Sequence, residues 1–215
     1  MIKALRLLVT VALAGSACIA TVALPARAAE QTPDGSIGVV DFERVSKDAA
    51  PYKAANEEIG RLQNGLQQNL QEAVRYVFLN ADETKELILI LDAKEPTAPQ
   101  QARLAELKKL AEEREKRYNE LANTPNPNDE QRTELGNLGA MQQDREREKA
   151  LREMQQRYVG ELEKKVSEVR ERLDKAAREA IAEIAKQKKL SIVVPKELVI
   201  FGGVDITDEV IKKLK

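Results

Sequence analysis

Apolar positions along this chain change period twice, and each change marks a change of element. Ile37-Gly38-Val39-Val40-Asp41-Phe42 is a short run rich in β-branched residues, preceded by Asp34-Gly35, which predicts a buried strand. Glu43 to Ala50 predicts a short helical connection that ends near Pro51. From Ala55 onward the apolar residues recur at steps of three and four. Ile59, Leu62, Leu66, Leu70 and Val74 form one series; Leu104, Leu107, Leu110, Tyr118 and Leu121 form a second, with Arg114 filling one slot. Leu135 and Leu138 lead into a third, from Leu151, Met154, Tyr158 and Leu162 to Val169, Leu173, Ile181 and Ile184. The stripe is narrow and persists for many turns, which predicts a coiled-coil seam. Past it, Ser191–Val194 and Leu198–Phe201 predict two more strands, stopped by Pro195 and by Gly202-Gly203. Thr207 is placed to cap a last short helix, with Asp208 and Glu209 in its first turn.

Two proline-bearing breaks, at 95–99 and 124–128, divide the helical region into pieces of about 53–93, 100–123 and 129–189. The strands at the two ends must meet in one sheet, so the helical path has to return to its start. Treating Pro96 and Pro99 as a kink leaves 65 residues ascending against 61 descending, which places the reversal, and hence the arm tip, at Pro125 and Pro127. A faint repeat at a 28-residue offset relates Pro99 to Pro127, Glu106 to Glu134, and Leu107 and Leu110 to Leu135 and Leu138. Gln142–Lys149 lacks an apolar seam residue and predicts a solvated, loosened stretch, with Gly136 and Gly139 just before it.

Composition narrows the chemistry. The 215 residues include no His, no Trp and one Cys, so the usual zinc, haem and copper ligand sets and the His-dependent nucleophile arrangements cannot be assembled in one chain. No GxxxxGK[ST] phosphate cradle is present, and no cofactor or enzymatic activity is expected. Asp41, Asp205 and Asp208 read as strand-end and helix-start residues rather than as metal or acid/base carboxylates. At the N-terminus, Lys3 and Arg6, the apolar Leu7–Leu24 and Ala26-Arg27-Ala28 predict a cleavable signal peptide over 1–28, hence secretion. Retention of that segment as a membrane anchor, or acylation at Cys18, are the alternatives. Removing 1–28 leaves a net charge of −4 and no cysteine, which does not suggest a nucleic-acid binder.

The β-forming ends, 36–51 and 188–215, total 44 residues, too few for a stable core without metal or disulfide. Several copies pooling their strands would supply one, so the chain is expected to self-associate. The expected class is α+β: a small multi-chain β body, with 52–187 as a long antiparallel helical hairpin per chain. The oligomerisation core is expected at Ile37, Val39, Val40, Phe42, Ile192, Val194, Val199, Ile200 and Phe201.

In the order of its parts the chain resembles the Skp (OmpH-like) family of periplasmic chaperones for outer-membrane proteins. The resemblance rests on the export signal, the opening strand, the long helical region and above all the tail: Leu190–Val194, Val199–Phe201, then Val204-Asp205-Ile206-Thr207-Asp208-Glu209-Val210-Ile211. It implies a jellyfish-shaped homotrimer whose arms enclose an unfolded outer-membrane protein and hold it without ATP. Under that reading the run Leu87-Ile88-Leu89-Ile90-Leu91, with Val77 and Phe78, is the candidate client surface. The same run also fits a buried patch against a facing helix. The net negative charge departs from the basic character of the family, and no residue is assigned to lipid, although Arg145 and Arg147 are the positions to test. A coiled-coil spacer of the cell envelope is the alternative function.

Overall fold

The structure, a computed structural model, describes residues 36–214; the segment expected to be a signal peptide lies outside the described residues. The described residues fall into two units, 36–54 with 172–214 (the end unit) and 55–171 (the central unit).

In the end unit, β1 (Ile37–Val40) is the middle strand of a parallel three-stranded sheet ordered β2-β1-β3, with β2 spanning Ile192–Pro195 and β3 Val204–Asp205. Ile37 lies opposite Ile192, and Val39 lies between Val194 and Asp205. The strand expected at Leu198–Phe201 is not formed. Lys196–Leu198 is a 3-10 turn and Val199–Phe201 is irregular. The reason is topological: β2 ends beside Val40 and β3 begins beside Gly38, so residues 196–203 must carry the chain back along β1. Gly202 and Gly203 complete that return at φ of +87° and +97°, and a Cβ at Gly203 would stand 2.2 Å from Val39 Cγ2.

Helix α1 (Phe42–Asp48) starts at Asp41, whose carboxylate accepts the Arg44 N–H at 2.9 Å. Helix α7 (Thr207–Lys213) buries Val210, beside the buried Ile206. Thr207 is not its cap. Ile206 occupies that position, and the Thr207 hydroxyl instead accepts the Asp41 N–H at 2.9 Å, tying α7 to the end of β1.

Five helices build the rest: α2 (Ala50–Arg75), α3 (Ala81–Leu91), α4 (Ala98–Ala122), α5 (Asp129–Gln142) and α6 (Arg145–Gln187), with α2 and α6 contributing to both units. The single helix expected over 53–93 is interrupted after Arg75. A continued helix would spread Tyr76-Val77-Phe78-Leu79 around its circumference. The turn buries Tyr76, Phe78 and Leu79 instead, and the Asn80/Glu83 capping box restarts the chain as α3.

Helix directions in the central unit follow from contacts. Asn69 on α2 bonds the Leu91 carbonyl, so α3 runs back along α2. Glu86 pairs with Arg103 and Glu83 with Arg114, so α4 runs opposite to α3. The break at Pro96–Pro99 is therefore a reversal and not a kink, and the balance of 65 against 61 residues counted α3 in the wrong direction. Glu72 pairs with Lys108, which sets α4 beside α2 in the same direction. Helices α4 and α5 pack across a short connection and are joined by the Arg117–Glu134 pair. Glu58–Lys165 and the Arg147–Val74 contact show that α6 runs opposite to α2 along this stretch.

The turns before α4 and α5 are structurally equivalent at an offset of 31 residues, not the 28 suggested by the sequence. Thr97 and Asn128 are N-caps whose boxes close on Gln100 and Gln131. Gln101 bonds the Pro96 carbonyl at 3.1 Å and Arg132 the Pro127 carbonyl at 3.0 Å. The two-pronged pair Glu86–Arg103 recurs with its charges exchanged as Arg117–Glu134.

Candidate functional site

The residues that carry information here are apolar surfaces and the polar groups that hold them in place. Among the described residues no group of three His, Cys, Asp or Glu could hold a metal ion, and no helix is long and apolar enough to cross a membrane. The grooves on α4 and α5 are shallow and lined by carboxylates, amides and single Lys or Thr side chains.

In the central unit, α2, α3, α4 and α6 form a helical node. Leu79, Leu87, Leu107 and Met154 are fully buried in it, with Tyr76, Ile88, Ile90, Ala111 and Tyr158 nearly so. The expected client surface is corrected on this point. Phe78, Leu87, Ile88 and Ile90 are core residues, Val77 and Leu91 are partly buried and packed against the same clusters, and only Leu89, 70% exposed, presents an apolar face. Five consecutive apolar residues suit α3 because helices flank it on more than one side.

Polar groups fix the node. The Arg114 guanidinium donates to both Glu83 carboxylate oxygens, at 2.5 and 3.0 Å, and to the Phe78 carbonyl at 3.1 Å. Burial by itself would raise the Glu83 carboxyl. The Arg114 bonds, the Asn80 N–H and the Arg114 and Arg103 charges outweigh it and hold Glu83 below its ordinary value. At the other end of α3, the Tyr158 hydroxyl donates to Asp92 at 2.5 Å while Arg157 pairs with the second oxygen at 2.8 Å. Burial first, then the Asp92 bond and charge, push the Tyr158 phenol up.

Arg147 settles the expectation for the polar stretch. The helix does break, at Gln143–Asp144, but Arg147 is 5% exposed and donates weakly to the Val74 carbonyl near the end of α2. Burial lowers its pKa, and its Nε has no partner. Buried in this way, it is not available to a lipid headgroup. Arg145 remains exposed.

The end unit carries the other candidate surface. Val39 and Val40 are buried within it, and Val194 and Val199 are partly buried. Ile37, Phe42 and Ile192 are 40–53% exposed, and Ile200 and Phe201 are essentially fully exposed, joined by Leu198 and Val204. Leu198 and Val204 were not among the residues expected in the oligomerisation core, although Leu198 opens the strand expected there and Val204 directly follows the two glycines. Asp41 follows β1 and Asp208 lies in the first turn of α7, as expected, whereas Asp205 closes β3 and reaches the start of α7 through its side chain. Asp205 accepts the Thr207 N–H at 2.9 Å, and Asp208 pairs with Arg44 at 2.7 Å.

Compared with protein families, residues 73–214, about two-thirds of the chain, match the model described as outer membrane protein (OmpH-like). Comparison with curated proteins and with solved structures gives no match.

Proposed function

The chain belongs to the outer membrane protein (OmpH-like) family, and on that footing we propose that it is an ATP-independent periplasmic holdase for unfolded outer-membrane proteins, acting as a homotrimer. The family match carries this reading. The end unit supports the oligomer: Ile37, Ile192, Ile200 and Phe201 present an apolar surface that one chain leaves in water, and a second copy is the occupant its strand-rich surroundings suit. Parallel sheets are ordinarily covered on both faces, which points the same way.

In this reading α2 to α6 form a hairpin arm with its tip at Thr124–Asn128, and copies of the arm surround the client. Exposed apolar residues such as Val74, Leu89 and Val159 touch the unfolded chain weakly at many points. Multivalency makes the sum strong while each contact exchanges freely. Leu87, Ile88 and Ile90 serve by holding the node rigid, and Phe78 by joining the α2–α3 turn to Leu121 and Leu138. No nucleotide takes part.

Size-exclusion chromatography with light scattering tests the proposal: a urea-unfolded outer-membrane barrel protein is diluted into the purified chain. A soluble species with the mass of three chains and one client is expected. A trimer eluting alone beside aggregated client rejects the holdase and leaves the envelope spacer. A monomer at micromolar concentration rejects the oligomer.

A further inference from the structure

Three glycines lie inside the long helices of the central unit without a packing reason. Gly60 and Gly65 are on α2 and Gly160 is on α6, and a Cβ built on any of them meets nothing within 4 Å. Glu58 pairs with Lys165 at 2.5 Å, which sets Gly160 at the level between Gly60 and Gly65. All three therefore fall within about two turns of one another along a pair of oppositely directed helices.

Side-chain burial marks the same stretch independently. No residue of α2 between Ala55 and Ala73, and none of α6 between Tyr158 and Val169, is buried. The seam there, Ile59, Leu62, Leu162 and Val166, is half exposed, whereas Ala73, Met154 and Tyr158 beyond it belong to the buried node.

The other candidates for flexibility are clamped. The turns before α3, α4 and α5 are each closed by a capping box. The break at Gln143–Asp144 is flanked by the buried Arg147, and the Cβ position of Gly139 lies 3.7 Å from the Tyr118 ring.

We infer that the paired stretch 56–65 of α2 and 159–168 of α6 is the bending zone of the arm, softened by Gly60, Gly65 and Gly160, and that the proline breaks are rigid turns. A glycine inside a helix favours the open backbone over alanine by roughly two- to fivefold. Three at one level, with no core to restrain them, concentrate helix opening there. That the arm bends does not depend on the chaperone reading; that bending fits the arm to clients of different size rests on it.

Amide hydrogen exchange on the purified protein, followed by mass spectrometry in the regime where rates report opening equilibria, tests the bending zone without a client. Peptides from 56–65 and 159–168 should exchange at least tenfold faster than those from 84–91 and 104–111. The triple variant Gly60→Ala/Gly65→Ala/Gly160→Ala should slow exchange in the zone by at least tenfold and leave the node unchanged. Gly136→Ala, the same chemical change on α5, should slow exchange only around position 136. Native protection in the zone equal to that of the node overturns the inference, as does a triple variant that leaves the zone's exchange unaltered. Client capture by a variant stiffened in this way separates the two readings. A loss confined to larger clients supports the use of bending, and unchanged capture of every size rejects that use while leaving the hinge itself intact.

Discussion

Arg114 is the side chain whose loss the node should feel most sharply. It makes two bonds to Glu83 and one to the Phe78 carbonyl, joining α4 at once to the α2–α3 turn and to the first turn of α3. In Arg114→Leu the aliphatic bulk stays in the seam, but the Glu83 carboxylate, whose side chain is 16% exposed, keeps only the Asn80 N–H, and the Phe78 carbonyl loses this donor. Each charge-assisted hydrogen bond is worth about 1.5–3 kcal/mol, so the two to Glu83 amount to about 3–6 kcal/mol before screening by solvent. Discounting for the part of both side chains still in water gives a cost of about 2–3 kcal/mol. With a urea m-value of about 2 kcal/mol/M, the unfolding midpoint of the central unit falls by about 1–1.5 M.

The pH dependence gives that prediction a second edge. The carboxyl of Glu83 is held below its ordinary value, so its contribution is present above the unfolded pKa of about 4.3 and is lost as pH falls through the lower folded value. The penalty of Arg114→Leu should therefore be full at pH 7 and much smaller at pH 3. Glu83→Gln should flatten the acid limb, and adding it to Arg114→Leu should cost little more. Urea titrations followed by circular dichroism at the two pH values decide the matter. A penalty under about 0.5 kcal/mol at pH 7, or one of equal size at both pH values, refutes the reasoning.

Three further outcomes follow from burial. Ile88→Ala should lower stability by about 2–4 kcal/mol and Leu89→Ala by less than about 0.5, a contrast between adjacent residues that thermal melts can read. Gly203→Ala should disrupt the end unit, because it adds a Cβ against Val39 at a φ of +97°; loss of the soluble oligomer, or of at least about 2 kcal/mol, is the expected readout. Phe201→Ser should leave the melting of the node unchanged while shifting sedimentation toward the monomer, since its side chain is exposed within one chain.

Periodicity made the helices legible, and the strand at Ile37–Val40 was plain because β-branched residues bunch there. What stayed hidden was direction. A proline break states that a helix stops, and Pro96 and Pro127 look alike whether the chain kinks or turns back. The turn at Val77–Asn80 contains no proline or glycine, and its signal, Asn80 with Glu83 three residues on, was a capping box inside an apolar run. Leu87–Leu91 left two readings open for a related reason: an all-round apolar helix is either exposed and sticky or enclosed by several neighbours, and only the number of neighbours decides. Arg147 read as a solvated charge because the sequence displays its charged end, whereas the structure buries it. In the tail, Val199–Phe201 has the composition of a strand, yet it lies in the stretch that must carry the chain from the end of β2 back to the start of β3, both of which run parallel to β1.

The number of turns, more than their chemistry, determines how α6 comes to lie against α2. Three reversals, at 76–80, 92–97 and 123–128, separate the two helices, and an odd number leaves them oppositely directed. Segments should therefore be removable in pairs of reversals and not singly. Deleting 76–111 removes two reversals. Because Glu72 lies beside Lys108, it joins Arg75 to Glu112 with 36 residues lost, about ten helical turns, so the seam keeps its phase. Deleting 92–122 removes one turn and one helix, the 31-residue repeat, and should send α6 in the same direction as α2. The pair Glu58–Lys165 reports which has happened. With Cys18 replaced, Glu58→Cys and Lys165→Cys supply the two thiols for a short bifunctional crosslinker. Intramolecular crosslinking should be efficient in the parent and in the 76–111 deletion, which stays helical but melts earlier for want of the α3 packing around Met154 and Tyr158. It should be absent from the 92–122 deletion. Equal crosslinking in the two deletions would show that packing along α6 sets its direction whatever the turns do.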